Sequence, residues 1–233
     1  QTLLNALSIP LPMGERFIIR AMCDCMEQRP QSSTMKEDIR LFVAQESVHL
    51  RQHNEYNRQL CAQRGYGLAK LEFPIRFNLD EVERTGSLQH RLAITVCIEH
   101  LTAAVAEAIL AHPAWLDQGS EPLRQLWQWH ALEEIDHRSV AFDLYVAQGY
   151  DMAYVHQLMP EFGHKQLRFL EALLCAMVRM DGADPETARL WLREEVCGPQ
   201  GLGTFFRERV AELYLPGFDP RTHDALKTLE TLN

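Results

Sequence analysis

The strongest constraint in this sequence is where its long helical segments place their carboxylates. Read at three-to-four-residue spacing, one segment carries the stripe Ile39, Phe42, Glu46, His49, His53, Tyr56, Leu60. Another carries Leu123, Trp127, His130, Glu134, His137, Ala141, Leu144. A third reads Leu88, Leu92, Thr95, Glu99, Thr102, Ala106, Ile109, and the first reads Leu11, Glu15, Ile18, Met22, Cys25. Residues at this spacing share one face of a helix. Each segment therefore turns an apolar seam inward and puts a carboxylate into it. A buried carboxylate without a partner loses several kcal/mol of solvation, and four in one core would also repel one another. No Lys or Arg occupies the centre of these stripes. A multivalent cation is the simplest compensation, and carboxylate oxygens mixed with imidazole nitrogens suit iron, manganese or zinc.

Spacing sharpens the expectation. Glu46-x-x-His49 and Glu134-x-x-His137 each put a carboxylate and an imidazole one turn apart on one face. One Glu from each of two helices plus Glu-x-x-His from two others is the ligand set of di-iron carboxylate bundles. The order along this chain is Glu15, Glu46 with His49, a crossover, Glu99, then Glu134 with His137. Chance alone yields roughly one Glu-x-x-His in a chain of this length. A third match, Glu161 to His164, contains a glycine, follows Pro160, and is read as coincidence. His130 lies on the Glu134 face and is an extra candidate ligand. His53 is placed likewise beside Glu46 and His49, as an extra ligand or a hydrogen-bonding neighbour. Glu133 and Asp136 are expected to point away from the seam, as are His100 and Glu107, and Trp127 and Trp129 are expected in the core. Thr95, Thr102 and Ala103 are small residues beside Glu99, expected to leave room for O₂ and substrate.

The rest of the chain reads as all-α. Helices are expected over about 12–28, from a capping box at Thr34 and Glu37 to Gly65, over 87–111, and from Ser120 to Gly149. Between the second and third long helices lies a crossover with a short helix capped by Asn78 and Glu81. A kinked helix around Pro160, another at Asp184-Pro185 and shorter pieces follow. The expectation is one domain, 1–233, with a four-helix bundle over about 12–149 and a helical extension over about 150–233. A net charge of −9 argues against nucleic acid or an anionic membrane as partner. No run approaching the roughly 20 apolar residues of a membrane span is evident. No basic segment precedes an apolar stretch within Gln1–Gly14, so no secretory signal is expected. The six cysteines form no CxxC pair and are read as thiols of a reduced, cytoplasmic protein.

Four segments, LPMGERFIIR, QESVHLRQHNEYN, CIEHLTA and WHALEEIDHRSVAFD, resemble the predicted metal-dependent hydrolases, a branch of the ferritin-like superfamily that includes di-iron hydroxylases. The pattern is also similar to arylamine N-oxygenases, in which an extra His lies seven residues before the ExxH His; His130 matches that position. The resemblance implies a ferritin-like four-helix bundle with additional C-terminal helices. It implies Glu15, Glu46, His49, Glu99, His130, Glu134 and His137 as ligands of two iron ions, with manganese or zinc as alternatives. The leading expectation is a non-haem di-iron oxygenase that activates O₂ to oxidise a small organic or acyl-type substrate, with an electron-donor protein or reductant and a homodimeric assembly. A dinuclear metal-dependent hydrolase is the alternative, and a ferroxidase or iron-handling protein the third.

Overall fold

The computed structural model describes residues 2–117, 119–198 and 202–222. Among them every regular element is helical. The helices are α1 (Thr2–Ser8), α2 (Leu11–Gln28), α3 (Ser33–Arg64), α4 (Leu68–Thr85), α5 (Leu88–Ala111), α6 (Ala114–Asp117), α7 (Glu121–Ala147), α8 (Met152–Met180), α9 (Pro185–Trp191) and α10 (Leu202–Glu212). A π-helical turn, Leu192–Val196, follows α9, and Pro220–Thr222 forms a 3-10 turn. The expected C-terminal pieces at 199–201 and 223–233 lie outside the described residues.

The four predicted helices close a ring. α2 packs on α3, α3 on α7, α7 on α5, and α5 back on α2, which is a four-helix bundle. α8 and α10 cover the outer side of α5, and α1 and α9 pack on α8. Phe17, Met22, Ile39, Phe42, Leu92 and Tyr145 belong to the largest apolar cluster. Because α5 is covered on several sides, it is apolar nearly all round rather than along one stripe. It also corrects one expectation: by length and composition Leu88–Ala111 could cross a membrane, with a mean hydropathy of 1.6. Its most apolar stretch is 83% buried inside this protein, so the bundle core takes up that surface.

Local signals set most helix ends. Ser87 accepts from the His90 amide at 3.2 Å, as its position before α5 predicts. At α3 the cap is Ser32, which accepts from the Met35 amide at 3.1 Å, not Thr34. Ser32 is the last residue with extended backbone, so Thr34 already lies in the first turn. Gly65 closes α3 with φ of 72°, a conformation that favours glycine. The crossover differs more. Instead of a short helix near Asn78, α4 runs continuously through Pro74 and packs against α2 and α3. A helix-interior proline costs about 3 kcal/mol. Leu71, Ile75 and Leu79 recur every fourth residue and are buried, and about 1.5–3 kcal/mol for each outweighs that cost.

Candidate metal centre

The bundle brings the stripe residues together in its interior. Glu46 and His49 on α3 and Glu134 and His137 on α7 have ligand atoms within 4.8 Å of one another, and all four side chains are buried. His137 Nδ1 lies 2.7 Å from Glu46 Oε1. His49 Nδ1 lies 3.4 Å from Glu46 Oε1 and 3.3 Å from Glu134 Oε1. Both imidazoles therefore turn Nδ1 toward both carboxylates.

Their outer nitrogens are held by a reciprocal arrangement. His49 Nε2–H donates to Glu133 Oε2 at 2.8 Å, and His137 Nε2–H donates to Gln45 Oε1 at 3.2 Å. In each helix, the residue just before the ExxH glutamate holds the histidine of the other helix. An acceptor on the outer nitrogen fixes the tautomer and leaves the inner nitrogen as the donor atom, as in many metal sites. Glu133 thus does not point away from the site as expected; its neighbour on the opposite helix captures it. The side chain of Asp136 lies outside the described residues.

A second group lies alongside. Glu15 on α2, His53 on α3 and His130 on α7 are buried, with ligand atoms within 4.8 Å of one another. The tautomer of His53 follows from its neighbours. Ser8 Oγ donates its only proton to Asn57 Oδ1 at 2.7 Å, so it must accept from His53 Nδ1 at 2.8 Å. That leaves His53 Nε2 unprotonated, fully buried and without a hydrogen bond. His130 joins the groups: its Nε2 is 3.4 Å from Glu134 Oε1, and its ring centroid lies 4.3 Å from His49 and 4.7 Å from His53. Glu99 on α5 is 1% exposed and belongs to neither compact group, yet Glu46 and Glu134 act on its charge.

The electrostatics show the same need for a cation. Burial, then repulsion from Glu46 and other carboxylates, pushes Glu15 and Glu99 well above the usual carboxylate range. Burial would lower His49 and His137, but contact with Glu134 and Glu46 raises them to about 11 and about 10. At His130 burial outweighs the attraction of Glu134 and Glu46 and lowers it to about 4. Among the described residues, protons on His49 and His137 are the positive charges inside the cluster.

Outside the contacts of His49 and His137 with Glu46 and Glu134, both oxygens of Glu15, Oε2 of Glu99 and Glu134, Nε2 of His53 and Nδ1 of His130 are buried without a hydrogen bond. Such an atom costs about 1–3 kcal/mol, and together they rival the whole stability of a domain, about 5–15 kcal/mol. The residues present therefore fit a site for metal ions with oxygen and nitrogen ligands.

A family model for predicted metal-dependent hydrolases matches residues 1–224. The chain belongs to that family. No curated protein and no solved structure matches it. Metal dependence is thus the property shared by the family's description and the buried Glu/His cluster.

Against the bundle lies a cavity of about 650 Å³, walled by α1, α2, α4, α5, α7, α8 and α10. It reaches the cluster at His130 and Trp127. Of the three small residues expected to make room, Thr102 lines it. Ala103, one residue on and about 100° around the helix, faces Arg138 and Arg209 instead. Thr95 is buried, does not line the cavity, and donates to the Arg91 carbonyl at 3.1 Å. Trp127 is a core residue as expected, but it also packs against His53 and His130, and its indole N–H has no acceptor. Trp129 meets the His49 ring edge-on at 4.9 Å.

Proposed function

We propose that this protein is a non-haem di-iron oxygenase that oxidises a small organic or acyl-type substrate. The observation that carries this reading is the donor set: four Glu and four His from the four bundle helices α2, α3, α5 and α7, all buried, at the end of an apolar cavity. Glu15, Glu46, His49, His53, Glu99, His130, Glu134 and His137 would hold two iron ions, which when bound supply the electrons and open positions for O₂ reduction. Glu133 and Gln45 keep His49 and His137 aimed inward. Ser8 does the same for His53. Glu133, whose side chain is 28% exposed, gives the His49 proton a contact facing solvent. The apolar wall at Ile98, Leu101 and Val105 excludes water from the reacting end. A cavity of this size also favours an organic substrate over simple iron handling. The oxygenase reading includes an electron donor.

The family's description favours a second reading, hydrolysis, in which two metal ions activate a water. The two readings separate by experiment. Metal content is measured on protein purified without added metal; Fe(II) is then added anaerobically to the metal-free form and O₂ admitted. About two irons per chain, with O₂ uptake and a new visible absorption, is the expected result. Two zinc or manganese ions without any response to O₂ would favour the hydrolase, and absence of metal binding would overturn both.

A further inference from the structure

The 650 Å³ cavity has a direction and a sign. Its inner residues His130, Trp127 and Ala106 are at most 3% exposed, whereas His164, Leu167 and Arg207 at its other end are exposed. It therefore runs from solvent to the metal-site histidines. Among the described residues its lining includes no Asp or Glu, in a chain of net charge −9, and Arg207 is its one permanent cation. Among the described residues no carboxylate pairs with Arg207; its Nη2 donates to Thr204 Oγ1 at 3.0 Å. Between the two ends the wall is almost wholly aliphatic or aromatic.

Two glycines add to this. Gly14, next to Glu15 on α2, and Gly163 on α8 both line the cavity within helices. A helix-interior glycine costs about 1 kcal/mol relative to alanine. Neither has the positive φ that would require glycine, and a Cβ at either would meet no atom within 4 Å. No neighbouring side chain or backbone needs the space. What a side chain there would occupy is the cavity itself.

We propose that this cavity binds a single-chain amphiphile with a carboxylate head, its head at Arg207 and its tail running inward to Trp127 and His130. A lone guanidinium presents a planar fork of donors suited to one carboxylate. Gly14 and Gly163 set the room left for the chain. This names the substrate class and its orientation, and rests on the reading above for what happens at the tail.

The test is binding, read by calorimetry on the purified protein with and without chelator. The probes are the saturated carboxylates from octanoate to hexadecanoate, with dodecanol and dodecyltrimethylammonium for comparison. Affinity is expected to rise about fourfold per methylene, the equivalent of about 0.8 kcal/mol, and then to stop at a defined length. R207Q should weaken dodecanoate about tenfold while leaving dodecanol unchanged. G163L and G14L should move the length limit to shorter chains. G163A, which favours the helix, should keep the melting temperature at or above the parent value and serves as the folding control. Dodecanol or the ammonium binding as well as dodecanoate would overturn the assignment of the head. An unchanged length limit in both leucine variants, with the fold intact, would overturn the assignment of the chain. Because binding is read without turnover, its failure leaves the metal reading standing, and failure of metal loading leaves the binding result standing.

Discussion

Two glutamates on α5 solve the same problem in opposite ways. Glu99 and Glu107 lie about two turns apart, and both are buried, at 1% and 0% exposure. Glu107 meets Arg138 Nη1 at 2.9 Å and Arg209 Nε at 2.6 Å. Arg209 in turn pairs with Glu212, and its carbonyl accepts from His100 Nε2 at 2.7 Å. This ionic cluster ties α10 to α5 and α7. Glu99 has an oxygen without a hydrogen bond, and the charged groups that act on it most are Glu46, Glu134, His137 and His49. The chain has 23 Lys and Arg, and among the described residues it delivers two of them to one buried carboxylate and none to the other. The difference teaches that the charge at Glu99 is left for something the chain does not encode.

The comparison breaks most visibly at the ligands. E46A and H137A should each lose metal at one or both positions, read by elemental analysis, while circular dichroism remains helical. Parent-like metal content in both variants would refute the site. The next effect concerns Glu107. E107Q leaves two buried guanidiniums short of charge and should cost about 3–5 kcal/mol of unfolding free energy with metal content unchanged. E99Q should do the reverse, with metal-free protein unfolding at no lower denaturant than the parent and metal-loaded protein losing stability. Equal losses in both metal-free variants would erase the distinction. A smaller effect belongs to the outer partners. E133Q should weaken metal binding about 10–100-fold, measured by competition with a chelator of known affinity.

A pH trend in metal-free protein tests the same comparison. His49 and His137 are raised to about 11 and about 10 from an unfolded value near 6.5. Their contribution is therefore fully present below pH 6.5 and lost as pH rises through about 10 and 11. The raised Glu15 and Glu99 act in the same direction, because their protonated forms are favoured in the folded state. The lowered His53 and His130 act in the opposite sense below their unfolded value near 6.5, so the metal-free melting temperature should fall with rising pH above about pH 6.5, by about 2–4 °C per kcal/mol lost. Metal must displace these protons, so its affinity should rise over the same range. A flat metal-free profile would show that the two histidines do not carry the cluster's charge.

What the sequence makes legible follows from helical periodicity. Glu15, Glu46, His49, Glu99, His130, Glu134 and His137 sit on regular stripes, so their convergence needs only the assumption that the stripes face inward. The bundle also meets the all-α expectation. The outer partners are another matter. Glu133 reaches His49 across 84 positions, and that contact depends on how α3 and α7 cross. A clue was nonetheless present: both ExxH motifs are preceded by a residue able to accept a hydrogen bond, in QESVH and EEIDH. The ionic cluster at Glu107 was hidden because Arg209 comes from α10, far along the chain. The continuous α4 was hidden because Pro74 argues against a helix that only tertiary burial sustains.

The reciprocal hold between α3 and α7 makes these helices a single unit of inheritance. A substitution at Gln45 acts on a histidine of α7, and one at Glu133 acts on a histidine of α3. Chimeras that exchange one of the two helices between family members would therefore carry each histidine into a foreign outer environment, even with every ligand retained. Only exchange of the pair preserves both holds.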